Sequence, residues 1–488
     1  MAGRKGKIAA ALLVLLALLA VGAASAGAGK PHDGGKDPSG SKQSRPNVVV
    51  IVTDDQPIGM YTREIMPVTH RLLGRSGVTF TQAAVSTPQC CPSRAAFYTG
   101  EYAHNNGVFT NNPGYPLLKD PDNVLAAWLA RAGYRTIHIG KFMNGYAEVE
   151  GLDVAPGWDR WNTLLATDYQ HPTFSIDGKE FKTDTYLADE LNSRSVAAID
   201  RYAPGRKPFY LHIDQFAPHI GSGNETGRCT GGAIPSPRHD SDFLDAEAPE
   251  NAATQEADVS DKPHFISRRL PLGAAAQERI DLRWSCALAA MQDVETGVRE
   301  VVGALRRAGE LDNTLIALVS DNGLAYGEHR VAVDKGLPYE EHVRVPMVVR
   351  PPASFPDRIR GTTSDAPVAN IDFAPTILKL AGADPCIRRN ECRRLDGRSF
   401  LPILRGREPG WADSRAINIA FDINRRAHGL SCTWSGYRSP HEMVTVHTEL
   451  PDPADNQTCQ PAHEAEVYDL DEDPFETCLL YTSDAADE

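Results

Sequence analysis

The residues best suited to chemistry stand in the stretch STPQCCPSRAAFYTG, residues 86–100. Neighbouring cysteines seldom pair with each other because the ring they would close is strained, and metal motifs usually separate their cysteines by two to four residues. Pro92 favours the first position of a helix, which places Cys90 just before a helix N-terminus. That terminus and the Arg94 guanidinium would lower the pKa of a thiol and attract an anion. Cys90 is therefore a candidate nucleophile beside a fixed cation.

Further polar residues directly follow short apolar runs. Each alone could be a helix cap, a turn residue or a structural histidine. Ligands of open α/β sheets bind beyond the carboxyl ends of the strands, so we expect the set to converge on one edge. Its oxygen atoms suit calcium or magnesium, whereas a paired-zinc site would contain more histidine. In chain order these candidates are Asp54, Asp55, Lys141, His219, Asp321 and Asn322.

The elements that must position these residues alternate along the chain. Apolar runs predict buried strands, and amphipathic patterns between them predict helices. This alternation indicates an α/β fold with a largely parallel sheet. The predicted strands are 47–52, 135–140, 208–213, 314–320 and 345–349, and the predicted helices are 123–133, 185–203 and 278–309.

Composition narrows the class of partner. The chain has 488 residues, 41% hydrophobic residues and a net charge of −14. These values are typical of a large globular protein and argue against nucleic acid or an anionic membrane surface as the main partner. A polyanionic substrate would need local basic residues.

The two ends of the chain are set apart from the fold. A basic start, an apolar run and the small residues Ala24-Ser25-Ala26 predict a signal peptide over residues 1–26, followed by a flexible linker over 27–45. We therefore expect a secreted or extracytoplasmic protein with no stable membrane insertion after cleavage. Residues 478–488, CLLYTSDAADE, match a translated sequencing adapter, which predicts a native chain truncated near Thr477.

Cys386 with Cys392, and Cys432 with Cys459, are expected to form local disulfides.

The C-x-P-S-R motif at residues 90–94, followed by Thr99-Gly100, resembles the maturation signature of type I sulfatases, in the alkaline phosphatase superfamily. In that family the first cysteine is oxidised to formylglycine after translation, which would explain why two cysteines stand together. The resemblance extends from Pro46 to about Pro474. Its other motifs, in chain order, are NVVVIVTDDQ, GKFMNGY, APH, SDNGLAYGEHR, DKGLPYEEHVRVPMVV and VYDLDEDPFE.

The resemblance implies an alkaline-phosphatase-like fold, with a large, mostly parallel sheet flanked by helices and a smaller C-terminal subdomain with antiparallel strands. The catalytic domain would span residues 46–385 and the C-terminal subdomain 386–477. A formylglycine-generating enzyme would convert Cys90, and one calcium ion would assist. The implied calcium ligands are Asp54, Asp55, Cys90, Asp321 and Asn322.

The resemblance also implies roles for basic residues. Arg94, Lys141 and Lys335 would stabilise charge on the transferring sulfate. His219 would protonate the leaving oxygen or bind a sulfate oxygen. His104 is a candidate substrate contact, with a structural role as the alternative.

Several features are similar to N-acetylglucosamine-6-sulfatases and extracellular heparan endosulfatases: CCPSR, GEYAHNNGV, DKP, and Met143 where many arylsulfatases carry histidine. The resemblance therefore implies a sulfuric ester hydrolase acting on a sulfated carbohydrate. Two alternatives stay open. One is a phosphodiesterase or phosphonate monoester hydrolase of the same superfamily, and the other is a non-catalytic exported glycan-binding protein.

Overall fold

The computed structural model describes residues 45–254, 256–422, 432–452, 454 and 458–480. The predicted signal peptide, the predicted linker up to residue 44, and residues 481–488 lie outside this described part. Among the described residues, no helix has the length and apolar character needed to cross a membrane.

Strands and helices alternate through the first three-quarters of the described chain. The strands are β1 (Asn47–Thr53), β2 (Val78–Phe80), β3 (Ala83–Ala84), β4 (Arg135–Lys141), β5 (Arg160–Ala166), β6 (Thr173–Ile176), β7 (Lys179–Lys182), β8 (Phe209–Asp214), β9 (Thr314–Ser320), β10 (Met347–Arg350), β11 (Thr362–Ser364), β12 (Val368–Ala369), β13 (Cys386–Arg388), β14 (Glu391–Cys392), β15 (Ile417–Phe421), β16 (Trp434–Arg438), β17 (Glu442–Pro451) and β18 (Cys459–Asp469). The α-helices are α1 (Pro67–Leu72), α2 (Cys90–Thr99), α3 (Ala103–Asn106), α4 (Leu125–Arg131), α5 (Tyr146–Glu150), α6 (Leu187–Tyr202), α7 (His264–Ser267), α8 (Ala274–Arg307), α9 (Glu340–Val343), α10 (Phe373–Ala381) and α11 (Leu401–Leu404).

The main sheet confirms the predicted mostly parallel architecture. Its strand order is β11-β2-β10-β9-β1-β8-β4-β5-β6-β7. The five central strands, β9 to β5, pair in parallel, and antiparallel strands flank them on both sides. All five strands predicted from apolar runs are present, with bounds shifted by at most two residues.

Strand β1 shows why the central strands are continuous apolar runs. Every residue of NVVVIVT is buried, because helices cover both faces of the sheet. Val48 and Val50 pack in one hydrophobic cluster with residues of α2, α4 and α10. Val49 and Ile51 pack in the other cluster with residues of α6 and α8. The sheet is thus held rigidly between two helical layers.

A smaller four-stranded antiparallel sheet, β15-β16-β17-β18, lies in the C-terminal part. It confirms the antiparallel strands expected there, while the predicted domain bounds stay predictions. Both expected disulfides, Cys386–Cys392 and Cys432–Cys459, are present. A third, Cys229–Cys286, joins residues 57 positions apart, which local spacing could not reveal.

Candidate active site

The polar residues at the strand ends meet at one edge of the main sheet. Strands β9, β1, β8 and β4 are parallel neighbours, so their carboxyl ends lie together. Asp54 and Asp55 follow β1, and Asp321 follows β9. Lys141 is the last residue of β4. Gly140 precedes it because a Cβ at this position would stand 1.9 Å from the backbone oxygen of Asp214.

Helix α2 brings Cys90 to this edge. It begins at Cys90, with Gln89 as its N-cap, two residues before the predicted start at Pro92. The predicted start is wrong because the N–H groups of the whole first turn lack intrahelical acceptors, so proline is tolerated beyond the first position. The geometry still places Cys90 at the helix N-terminus.

The Cys90 side chain is fully buried among charged groups. Its Sγ lies 3.3 Å from Asp54 Oδ1, 3.9 Å from Asp55 Oδ1 and 2.8 Å from Lys335 Nζ. Burial first, and then Asp54, raise the pKa of the thiol. The predicted lowering of this pKa is therefore wrong, since desolvation and a neighbouring carboxylate outweigh the helix terminus and the cations. An unmodified Cys90 would be a poor thiolate nucleophile.

Arg94 lies at the centre of the acidic groups. Its Nε donates to Asp321 Oδ2 at 2.9 Å, and its Nη2 pairs with Asp54 at 3.1 Å and with Asp321. Its Nη1 donates to Asp214 and to the backbone oxygen of Lys141. All five guanidinium N–H groups thus have protein partners. The arrangement favours a role in holding the carboxylates rather than in contacting sulfate.

Each of the two lysines pairs with a different carboxylate of the site. Lys141 Nζ lies 2.5 Å from Asp54 Oδ2, and Lys335 Nζ contacts Asp55 Oδ1. Burial lowers the pKa of each lysine, but the surrounding negative charges together raise it above its ordinary value, with Asp54 the largest contributor for Lys141 and Asp55 for Lys335. Both lysines are therefore cationic at neutral pH.

Three observations test whether this site fits a metal ion. The Oδ1 atom of Asn322 is buried and accepts no hydrogen bond from the described residues. Burial and then Asp54 raise the pKa of Asp321 to about 7, so a further cation beside this carboxyl group would stabilise its charged form. Ligand atoms of Asp54, Asp55, Cys90 and His219 all lie within 4.8 Å of one another. The two aspartates of this group, together with Asp321 and Asn322, supply the oxygen ligands that a hard divalent cation prefers.

His219 lies beside Asp55, at the edge of the group of acidic residues around Cys90. Its Nε2 lies 3.6 Å from Asp55 Oδ2, while its Nδ1 lies 2.7 Å from the backbone oxygen of Ile220. An N–H at Nδ1 would donate to that oxygen and leave Nε2 as an acceptor. Burial and then Lys141 lower the pKa of His219, which favours the neutral ring.

Two other histidines lie away from Cys90. His104 is exposed on α3 and stacks on Tyr102. His329, in the GEHR stretch, is buried, stacks on Tyr339 and lies 3.1 Å from Glu256 Oε2. The structure thus brings together every other predicted site residue, but His104 lies outside that group.

One important residue escaped the sequence analysis. Asp214 ends β8, and its carboxylate contacts Arg94 and the Nε2 atoms of His138 at 3.0 Å and His212 at 3.2 Å. His138 and His212 point inward from neighbouring strands, so no local motif joins them. The strand-end position of Asp214 was a usable signal, because it begins the stretch DQFAPH.

A cavity of about 250 Å³ opens at the cluster. Asp55, His219 and Lys335 form part of its wall. Arg283, Tyr326 and Asn111 also line it. Tyr326 belongs to the SDNGLAYGEHR motif, whereas no quoted motif contains Arg283 or Asn111. The cavity is smaller than the roughly 300–1,000 Å³ of drug-sized ligand pockets, which suits one sugar residue.

Comparison with known proteins places this geometry in context. A family model described as Sulfatase matches residues 46–383. An arylsulfatase of Volvox carteri is 32% identical, covering 91% of this chain and 72% of the algal protein. The N-acetylglucosamine-6-sulfatase of Homo sapiens is 32% identical, covering 74% of this chain and 65% of the human protein. The chain thus spans about two-thirds of the length of these two relatives. It spans 34% of the length of another relative, the extracellular sulfatase SULF-1 homologue of Drosophila melanogaster.

A solved structure shares the fold over nearly its whole length. That protein, determined in complex with its substrate D-glucosamine-2-N,6-O-disulfate, superposes with a TM-score of 0.70 at 23% identity. The superposition covers 91% of this chain and 94% of that protein. It supports the expected alkaline-phosphatase-like architecture.

Proposed function

This chain belongs to the sulfatase family, and on that premise we propose that it hydrolyses the sulfate ester of a sulfated sugar. The observation that carries the proposal is the position of Cys90. Its Sγ lies at the start of α2, 3.3 Å from Asp54 Oδ1 and 2.8 Å from Lys335 Nζ. Burying the Cys90 thiol among so many charged groups costs free energy, which favours a functional role over a structural one.

We propose that a formylglycine-generating enzyme converts Cys90 to formylglycine. The raised pKa of the thiol supports this, because it disfavours a thiolate at this position. The hydrated aldehyde would supply a hydroxyl nucleophile and a second hydroxyl whose deprotonation later releases sulfate. The start of α2 aims residue 90 at the carboxyl edge of the sheet, and burial keeps competing water away from it.

One calcium ion is the proposed metal. Asp54, Asp55, Asp321 and Asn322 would hold it together with residue 90, and Arg94 would keep the carboxylates in place. Bound there, calcium would neutralise charge on the oxygen atoms of the transferring group. The free Oδ1 of Asn322 is the strongest support for a cation.

Lys141 and Lys335 are the proposed sulfate-binding cations, and His219 the proposed proton donor to the leaving oxygen. With calcium bound, Asp54 and Asp55 would pair with the ion, which leaves the lysine ammonium groups available to sulfate. His219 reaches the cavity, where its unprotonated Nε2 would take the proton of the attacking formylglycine hydroxyl and then give it to the leaving oxygen.

The proposed substrate is a sulfated amino sugar, taken one residue at a time. The similarity to N-acetylglucosamine-6-sulfatase and to a protein solved with a sulfated glucosamine supports this class. The cavity of about 250 Å³ supports action on a terminal residue.

Three disulfides support the proposed secreted or extracytoplasmic location, since such bonds persist in oxidising compartments.

Turnover on matched esters tests the proposed activity against the phosphate-ester alternative. We expect the matured protein to release sulfate from N-acetylglucosamine 6-sulfate with kcat/KM at least about tenfold above that for phosphate release from the 6-phosphate. Calcium, Arg94 and the two lysines would carry five positive charges against the four of the site's aspartates, and this excess of one matches a singly charged ester better than a doubly charged one. Faster phosphate release would replace the sulfatase proposal with the phosphatase one, and inactivity on both would favour a glycan-binding protein.

Asn322→Ala is expected to weaken calcium binding by on the order of 10- to 100-fold, a loss that even outer-shell partners of metal sites cause. Isothermal titration calorimetry of calcium into metal-free protein measures this directly, without any activity assay. Asn105→Ala is the matched control, because Asn105 is an exposed amide that contacts Asp396 instead. Equal calcium affinities for the two variants would remove Asn322 from the metal site.

A further inference from the structure

The wall of the catalytic cavity carries a cation that the proposed chemistry does not use. Arg283, on α8, lines the same cavity of about 250 Å³ as Asp55, His219 and Lys335. Lys335 also contacts Cys90, so Arg283 shares a space with the reacting position. A sugar bound in this cavity would therefore share its wall with both Arg283 and Lys335.

Arg283 has no hydrogen bond or ion pair with any residue in the described part of the chain. It is half-buried, so its guanidinium gives up part of its contact with water. Most other enclosed arginines of this protein are paired: Arg94 with three aspartates, Arg393 with Glu101 and Arg415 with Asp372. A partly desolvated guanidinium without a protein partner is suited to an anionic ligand.

The backbone around Arg283 is fixed on two sides. The disulfide Cys229–Cys286 and the 2.8 Å hydrogen bond from Arg228 to Ser285 Oγ tie the neighbouring loop to α8 within one turn of Arg283. On the other side, Trp284 packs edge-on against Tyr326, with 5.0 Å between ring centroids. These contacts hold the helix that presents Arg283 to the cavity.

Tyr326 lines the cavity together with Arg283 and Asp55. Burial and Asp55 raise its pKa, and Arg283 lowers it, so its hydroxyl lies within electrostatic range of both charges. The charged groups lining the cavity are Asp55, Asp334, Lys335, His219 and Arg283. Lys335 is engaged at the reacting end, which leaves Arg283 to meet a charge carried elsewhere on the sugar.

Resting on the proposed function, we propose that Arg283 binds a second anionic group on the sulfated sugar, a sulfate or a carboxylate other than the one removed. The planar fork of arginine can donate two parallel hydrogen bonds to such a group, which a lysine cannot reproduce. The cavity admits about one sugar residue, so this second anion belongs to the residue that is desulfated. The enzyme then prefers a doubly anionic sugar to a singly sulfated one.

The test compares N-sulfoglucosamine 6-sulfate with N-acetylglucosamine 6-sulfate as substrates for the mature protein. We expect wild type to favour the disulfated sugar in kcat/KM by about tenfold or more, since charged hydrogen bonds contribute factors of this order. Arg283→Gln should reduce this ratio to within about twofold, mainly through a higher KM for the disulfated sugar. Arg283→Lys should give an intermediate ratio.

Arg279→Gln is the matched control, because Arg279 is exposed one turn earlier on α8. It should keep the wild-type ratio. A wild-type ratio near one, or an unchanged ratio in Arg283→Gln, overturns the assignment of Arg283 while sulfate release itself stands. Failure of wild type to release sulfate from either sugar instead overturns the proposed function.

Discussion

Cys90→Ala is expected to lower kcat/KM for sulfate release by on the order of 10⁴-fold or more, as loss of a covalent nucleophile does in other hydrolases. Alanine cannot be converted to formylglycine, so position 90 would have no hydroxyl to attack sulfur. Cys90→Ser should show a similar loss in a host that matures only the cysteine form. Initial rates on a sulfated sugar, with each variant co-produced with a formylglycine-generating enzyme, measure this effect.

Cys91→Ala is a matched control for this experiment. Cys91 is also a free, buried thiol, but its Sγ lies 3.8 Å from the backbone oxygen of Asn144 and away from the acidic cluster. We expect its activity to stay within about tenfold of wild type. If Cys90→Ala kept a comparable rate, the nucleophile would have to be another group.

Lys141→Ala and Lys335→Ala are each expected to reduce kcat by on the order of 100- to 1,000-fold, the usual cost of removing one preorganised donor to a developing oxyanion. Both ammonium groups are buried at the reacting position, where low solvent exposure strengthens their attraction for sulfate oxygens. Steady-state kinetics on a sulfated sugar, with calcium affinity measured in parallel, separate this effect from loss of the metal.

Lys→Arg at either position should rescue only part of the rate, because a planar fork replaces a compact point charge. Lys379→Ala is the control, since Lys379 is an exposed lysine near the end of α10. Near-normal turnover in either active-site alanine variant would reassign that lysine to balancing Asp54 or Asp55.

The strand-end residues could be predicted because their positions depend on short sequence patterns and on the direction of parallel strands. Apolar runs such as 47–52 predict buried strands. Neighbouring parallel strands must bring their carboxyl ends to the same edge of the sheet. Asp54, Asp55, Lys141 and Asp321 follow from that rule alone. The mostly parallel sheet follows from the same alternation of strands and helices.

Burial, in contrast, is a tertiary property that spacing does not reveal. The pKa of Cys90 is raised rather than lowered because α2 is enclosed on all sides. Arg94 was predicted to stabilise charge on the transferring sulfate, and that role stays a prediction, but spacing could not reveal that three carboxylates and a carbonyl accept its hydrogen bonds.

Long-range pairings were equally hidden from local spacing. The disulfide Cys229–Cys286 closes a separation of 57 residues, whereas the two disulfides found from spacing are local. Arg283 stands in a long helix with no motif around it. Arg283 lines the cavity only because α8 packs beside the edge of the main sheet that carries the site residues.

The central claim is that residue 90 acts as formylglycine, and mass spectrometry of the peptide around residue 90 tests it most directly. The protein should be co-produced with a formylglycine-generating enzyme, and its sulfatase activity measured on the same sample. We predict a peptide whose residue 90 carries an aldehyde in place of the thiol, with activity proportional to the converted fraction. Full activity in a sample whose Cys90 is entirely unmodified would contradict the account.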